Sequence, residues 1–168
     1  MNVHRLKFIR EILGNESATR FIELLFDLFH FWDDLIDRDK PLSDEDINRA
    51  MWSAAVLLPA NPFYRQFFLQ LQPLIVSAIT NWQVANRLER EESDSDEKDR
   101  KRKQIAFIIR SDYANILMQS IFLLHGQERA VELGPYIREH WTEEDFDAYC
   151  VNLRKETETR TANTPTLN

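Results

Sequence analysis

The fold is decided by residues 21–38, FIELLFDLFHFWDDLIDR. Read at the period of an α-helix, this stretch is apolar on nearly every side. Its polar side chains follow one another at spacings of four and three residues and therefore form one stripe along the helix: Glu23, Asp27, His30, Asp34 and Asp37. Asp33 flanks that stripe. We expect a helix this apolar to form the centre of a helical core.

The carboxylate stripe has two interpretations. A polar stripe on a core helix is typical of a solvated face. A metal site is the alternative, because no Lys or Arg lies between Arg20 and Arg38 and carboxylates one turn apart repel each other. A divalent cation would offset that repulsion, and oxygen ligands suit magnesium. The predicted Mg²⁺ ligands are Asp33, Asp34, Asp37 and Asp27.

Composition predicts an all-α protein. The chain has 168 residues, of which 43% are hydrophobic and 29% charged, and it contains only 3 Gly and 6 Pro. Alternation of the strand type is scarce. We therefore predict a single-domain helical bundle of about seven helices over residues 1–157, with a disordered tail at 158–168 that lacks apolar periodicity.

Charge and cysteine content exclude several classes. The net charge of −7 argues against general nucleic-acid binding and against adhesion to anionic membranes. The single cysteine, Cys150, excludes an internal disulfide framework and favours a reducing cytoplasm. No apolar run is clean enough to span a bilayer, since Glu23, Asp27 and His30 interrupt the best candidate.

Caps and breakers predict the helix boundaries. Gly14 ends the first helix, Ser17 or Asn15 caps the second, and Ser43 with Asp46 forms a capping box. Thr142 and Asp145 cap the last helix. The predicted helices are 3–13, 18–38, the one from Ser43 to Pro59, 62–90 with a kink at Pro73, 102–125 (or from Asp99) ended by Gly126, 127–140 with or without a break at Gly134-Pro135, and the last one to about 156.

Two further polar stripes lie on otherwise apolar helices. The first contains Asn81 and Glu89, two turns apart with Ala85 between them. The second contains Asp112, Asn115 and Gln119, with Arg110 on the opposite side of that helix. Buried polar groups need partners, so the three stripes are expected to face one another inside a bundle, where helical proteins build metal and ligand sites.

Two of these stretches resemble motifs of the class I isoprenoid (terpenoid) synthases. Asp33-Asp34-Leu35-Ile36-Asp37 has the form of that family's DDxxD motif, which binds magnesium ions that hold a substrate diphosphate. Residues 81–89, NWQVANRLE, resemble its second motif, N-x-x-x-S-x-x-x-E, with Ala85 in place of the Ser or Thr ligand. The resemblance implies a helical, magnesium-dependent enzyme.

The first functional hypothesis is therefore a small Mg²⁺-dependent enzyme that acts on a diphosphate or a nucleotide-like phosphate. Glu89 and Asp112 are the predicted catalytic residues, beside the metal ligands given above. The predicted substrate-binding residues are Arg38, Lys101, Asn81 and Asn115, of which the two cations would neutralise phosphate.

The second hypothesis is a non-enzymatic helical interaction or adaptor protein, with a homodimer as one form of it. The chain contains 11 Phe and 4 Trp, side chains that anchor protein interfaces. Phe63, Tyr64, Phe67 and Phe68 crowd one helix start, where they either fill the core or contact a partner. An enzyme should have a concave acidic pocket, whereas an adaptor should expose a large apolar patch.

Overall fold

The computed structural model describes residues 3–37, 41–91, 95–140 and 145–162. All regular secondary structure in these ranges is helical, which confirms the predicted all-α fold class. The helices are α1 (Val3–Leu13), α2 (Glu16–Asp37), α3 (Asp44–Trp52), α4 (Leu58–Ala60), α5 (Pro62–Gln66), α6 (Phe68–Arg90), α7 (Asp96–Arg110), α8 (Tyr113–His140) and α9 (Phe146–Ala162). A π-helical turn, Ser53–Leu57, joins α3 to α4. None of the helices so described has the length and apolarity to cross a membrane.

The chain divides into two compact units. Unit 1 comprises Met1–Ile75 and Asn115–Leu133, and unit 2 comprises Val76–Ala114 and Gly134–Asn168. The prediction that residues 1–157 form a single domain is not tested by this division into two units.

Unit 1 is built around α2. The Phe21 ring is fully buried, stacks on the Tyr64 ring at 5.3 Å between centroids, and lies 5.7 Å from the Phe63 ring. Helices α1, α3, α4 and α5 all contact α2. Seven α2 residues are buried: Ala18, Thr19, Phe21, Ile22, Leu24, Leu25 and Phe26. The first residues of the 21–38 stretch, up to Phe26, therefore form the centre of the core of unit 1.

Local hydrogen bonds fix the start of α2. Gly14 ends α1 with a φ of 57°, a conformation that glycine adopts without strain. Asn15 then caps α2, because its Oδ1 accepts a 2.9 Å hydrogen bond from the Ala18 amide. Buried Asn61 donates from Nδ2 to the Ser17 carbonyl at 2.9 Å and accepts from the Tyr64 amide. Asn61 thus ties the start of α5 to the start of α2.

Residues 44–60 form one helical ribbon along α2. The ribbon begins at the predicted capping box of Ser43 and Asp46, which is present. It continues through the π-helical turn to Ala60, one residue past the predicted end at Pro59. Pro59 has no N–H to donate, and its ring clashes with the carbonyl four residues earlier in a regular α-helix. A widened π-helical turn before Pro59 relieves that clash.

Two predicted helices are interrupted where the sequence analysis did not expect it. The helix over 62–90 breaks at Phe67, whose ψ is 26°, and α6 then continues through Pro73, where the kink stays a prediction. The single helix over 102–125 is wrong, because α7 ends at Arg110 and α8 begins at Tyr113. At this break the Ser111 Oγ donates to the Ile108 carbonyl, a bond that competes with the helix. The predicted interruption at Gly126 is present, with a φ of 84°.

The last helix differs from the prediction at its end. Asp145 Oδ1 accepts from the Ala148 amide, so Asp145 is the N-cap of α9. Thr142, the other predicted capping residue, lies outside the described residues. The helix continues to Ala162, past the predicted end at about 156, and includes the first residues of the predicted tail. Disorder of residues 163–168, which are also outside the described part, stays a prediction.

Candidate functional site

The first half of the carboxylate stripe changes from half-buried at Glu23 to exposed at Asp27 and His30. Glu23 accepts a 3.1 Å hydrogen bond from Arg20 Nη1, one turn earlier on α2. Asp27 is exposed. The His30 ring stacks on Phe26, and its Nδ1 lies 2.9 Å from the Phe26 carbonyl oxygen. Arg20 therefore offsets the Glu23 charge without a metal ion.

Two carboxylates of the stripe region, Asp33 and Asp34, lie near the C-terminal end of α2. Asp33 and Asp34 are both partly shielded from solvent, and both take part in interactions within the protein. Of Asp37 only the helical backbone is described, and Arg38 lies outside the described residues. Across the side chains that the structure does describe, no three acidic, histidine or cysteine groups are arranged to hold a metal ion. The Mg²⁺ site stays a hypothesis.

Glu89 lies in the core of unit 2, in a bidentate ion pair with Arg110. Its side chain is only 4% exposed, and that of Arg110 is 22% exposed. Arg110 Nε donates to Glu89 Oε1 at 2.6 Å, and Nη2 donates to Oε2 at 3.0 Å. Two parallel charge-assisted hydrogen bonds of this kind fix the orientation of both side chains.

Three other side chains complete this network. Tyr149 donates from its hydroxyl to Glu89 Oε1, and buried Asn86 accepts from Arg110 Nη2 at 2.6 Å. The guanidinium of Arg110 lies over the Trp82 ring, 5.6 Å from its centroid. Burial, together with the neighbouring Glu89 carboxylate, raises the pKa of Tyr149 far above its usual range, so this hydroxyl keeps its proton. Both oxygens of Glu89 are thus engaged by donors of unit 2.

Aromatic packing holds α9 against α7 around this network. The Phe107 ring lies 5.1 Å from the Tyr149 ring and 5.7 Å from the Phe146 ring. Arg100 lies over the Phe146 ring at 5.5 Å. Tyr149 therefore connects the apolar packing of unit 2 to its buried ion pair.

The other predicted site residues are distributed over both units. Asn81 Nδ2 donates to Asp112 Oδ2, so these two half-buried residues of unit 2 lie together as expected. Lys101 is exposed on α7, and half-buried Asn115 belongs to unit 1. Ala85, where the terpenoid synthase motif has a metal ligand, is completely buried.

Sequence reasoning missed Arg110 and Tyr149 as partners of Glu89. A signal was present, because Trp82, Asn86 and Glu89 follow at spacings of four and three and so share one face of α6. The Arg110 side chain meets all three. Arg110, the cation that pairs with Glu89, lies 21 residues further along the chain on another helix. Periodicity within one helix does not identify a partner on a different helix.

The most unusual surface of unit 1 is the 51–60 segment, MWSAAVLLPA. It contains no charged residue, and none of its residues is buried. Met51 is 68% exposed, Trp52 60% and Val56 38%. A helix that is apolar on all sides is normally buried, as the first half of α2 is.

Apolar residues earlier in this ribbon are exposed as well. Ile47, Met51 and Ala54 are all exposed, and α3 contributes no buried residue. By contrast, Phe63 and Tyr64 fill the core, which was one of the two expectations for that aromatic cluster. Within the described part of unit 1, no residue of the 51–60 segment is buried by a neighbouring element.

Comparisons with protein-family models, with curated proteins and with solved structures found no match to this chain.

Proposed function

We propose that the chain is a non-enzymatic helical interaction protein that binds a protein partner through the 51–60 segment. One observation supports the proposal above all: ten consecutive uncharged residues are helical and unburied. Large apolar surfaces left in water are unfavourable and are typical of protein–protein interfaces. Trp and Met are also among the side chains enriched in such interfaces.

Exposed apolar residues also occur on other helices of unit 1. Leu69 and Val131 are 81% and 66% exposed, but each lies on a helix that buries other residues of its own. Single exposed apolar residues of this kind are normal on protein surfaces. The 51–60 segment differs because it contains no charged residue and none of its ten residues is buried.

The proposal predicts that a charge on the segment removes the partner without unfolding the protein. Met51→Glu is the test variant, and Val131→Glu is a matched control, since the two native side chains are 68% and 66% exposed. Tagged wild type, test and control are recovered from cells of the natural host, and co-purifying chains are quantified. We expect wild type and Val131→Glu to recover the same amount of partner. Met51→Glu should recover at least about tenfold less, because a tenfold loss of affinity corresponds to roughly 1.4 kcal/mol, a typical contribution of one interface side chain.

Equal recovery with all three proteins would contradict the proposal. Thermal melts of the purified proteins distinguish lost binding from lost folding. Both substitutions lie at exposed positions, so each should change the free energy of unfolding by less than about 0.5 kcal/mol.

The magnesium-dependent enzyme remains the second candidate function. The observation that favours it is the position of Asp34 and Asp37 in the last turn of α2, a turn that contains no basic residue. The C-terminal end of a helix has partial negative charge, so carboxylates there are unfavourable and a cation is favourable. Mg²⁺ would supply charge neutralisation and orientation to a phosphate substrate.

Melts with and without Mg²⁺ test this candidate. If Asp33, Asp34 and Asp37 hold the ion, Mg²⁺ should raise the melting temperature of the wild type, as any ligand of the native state must. Asp34→Asn should abolish the rise, whereas Asp44→Asn, at an exposed position on α3, should preserve it. An identical wild-type melt in both conditions, repeated with inorganic diphosphate present, would count against the metal site.

A further inference from the structure

We propose that α9 is a displaceable helix, which covers within its own chain a surface that binds an amphipathic helix of a partner protein once α9 is released. This α9-binding surface is formed by Glu89 of α6 and by Arg100 and Phe107 of α7. It belongs to unit 2, so it is a different surface from the 51–60 segment of unit 1 and does not depend on the proposed function.

One stripe of side chains attaches α9 to the rest of unit 2. Among residues 146–155, the part of α9 whose side chains are described, four are partly or fully shielded from solvent and six are exposed. The shielded four lie at positions i, i+3, i+4 and i+7, namely Phe146, Tyr149, Cys150 and Leu153. This spacing is that of an amphipathic helix bound in a groove of another protein. Here the bound helix is part of the same chain.

Phe107 of α7 receives two of the α9 rings. Its ring centroid lies 5.7 Å from that of Phe146 and 5.1 Å from that of Tyr149. The Arg100 guanidinium lies over the Phe146 ring, 5.5 Å from its centroid, in a cation–π contact. α7 thus offers an aromatic ring and a cation to any helix that presents two aromatic side chains one turn apart.

The buried charge beneath α9 keeps its partner without α9. Glu89 of α6 accepts hydrogen bonds from Arg110 Nε at 2.6 Å and from Arg110 Nη2 at 3.0 Å, and both residues precede α9 in the chain. Tyr149 adds a further hydrogen bond, from its hydroxyl to Glu89 Oε1. Leaving a buried charge unpaired is strongly destabilising. Release of α9 avoids that cost, because the ion pair of Glu89 and Arg110 is made between α6 and α7.

We therefore expect α9 to open while α6 and α7 stay folded. Opening exposes the Tyr149 ring, which is the one buried side chain of residues 146–155, and breaks its hydrogen bond to Glu89. Elements with few buried apolar contacts are those that open locally, at a lower free energy than the whole domain. The open form leaves the α9-binding surface accessible to another helix.

The chemistry of the partner helix follows from what α9 presents to this surface. It should carry an aromatic residue, a tyrosine three residues later, and an apolar residue four residues after the tyrosine, as Phe146, Tyr149 and Leu153 do. Tyrosine is required at the second position because its hydroxyl is a donor to the Glu89 carboxylate, whereas phenylalanine offers none.

Binding of a labelled peptide of residues 145–162 to the full chain tests the surface. In the wild type α9 fills the surface, so the apparent affinity is reduced by the fraction of closed molecules. Tyr149→Ala removes the buried anchor of the chain's own α9 and should bind the peptide at least about tenfold more tightly than the wild type. The control is Val151→Ala, on the exposed side of α9 at 48% exposure, and it should bind as the wild type does.

Two results of that titration would overturn the proposal. They are equal affinity of the three proteins for the peptide and failure of the peptide to bind Tyr149→Ala. A second peptide with phenylalanine in place of Tyr149 should bind Tyr149→Ala more weakly than the first, and equal binding of the two peptides would refute the role of the hydroxyl.

Hydrogen exchange of the wild type tests the same opening without any substitution. After correction for intrinsic rates, amides of residues 149–155 should exchange at least about tenfold faster than those of residues 85–89 on α6, because α9 opens locally. A common exchange rate for the two stretches would mean that α9 opens only when α6 also unfolds, and would overturn the proposal.

Discussion

Replacing Arg110 with methionine should lower the free energy of unfolding by about 3–5 kcal/mol, the cost of leaving a buried charge without its partner. The remaining carboxylate, Glu89, is 4% exposed and would keep only the Tyr149 hydroxyl as a donor. Methionine preserves much of the side-chain volume, so the loss reflects charge and hydrogen bonds more than a cavity. Urea unfolding followed by circular dichroism provides the measurement.

An exposed ion pair of the same chain is the matched control. Arg129 Nη1 lies 2.6 Å from Glu132 Oε2, and the two side chains are 43% and 62% exposed. Arg129→Met should cost at most about 1 kcal/mol, because exposed pairs are screened by solvent. The double variant Arg110→Met with Glu89→Leu should be more stable than Arg110→Met alone, since it removes the unpaired charge. A loss from Arg110→Met as small as that from Arg129→Met would contradict the buried network.

Truncating Phe21 to alanine should cost about 3–5 kcal/mol, the range for large aromatic residues in cores. Phe21 is fully buried and contacts the rings of Phe63 and Tyr64, so its removal leaves a cavity between α2 and α5. The measurement is the same urea titration.

The control for that variant is Phe122→Ala. Phe122 lies on α8 in the same unit and is 46% exposed, so its truncation should cost less than half as much. Similar losses from the two variants would show that α2 is not the centre of unit 1.

Local sequence signals predicted much of the helical framework. The Ser43 capping box and the Gly14 and Gly126 interruptions are all present, because each depends only on residues that are close together in the sequence. The apolar periodicity of residues 21–26 likewise predicted their burial.

The ion pair of Glu89 and Arg110 could not be predicted in the same way. It joins two helices across 21 residues, and helical periodicity orders the faces of one helix without pairing it with another. The break at Ser111 also escaped prediction, because the apolar residues on either side of it continue a helical pattern.

The exposed ribbon shows a second limit of periodicity. Ile47, Met51 and Ala54 recur at helical spacing and are all exposed, but such a pattern does not specify what covers the face that it forms. A core and a partner chain both require apolar side chains at the same spacing. Two features favour a partner chain over a core as the cover of the 51–60 segment. The segment has no charged residue, and none of its residues is buried.

Thiol footprinting in cells of the natural host tests most directly whether the 51–60 segment is covered. The experiment compares Ala55→Cys with Val131→Cys, each in the Cys150→Ser background. Both positions are exposed and belong to unit 1. The alkylation rate of each thiol in cells is divided by its rate in the purified protein at high dilution. A partner on the segment predicts that Ala55→Cys is alkylated at least about tenfold more slowly in cells, as expected when most chains are bound, while Val131→Cys is unchanged. Equal ratios for the two positions would contradict the interaction surface.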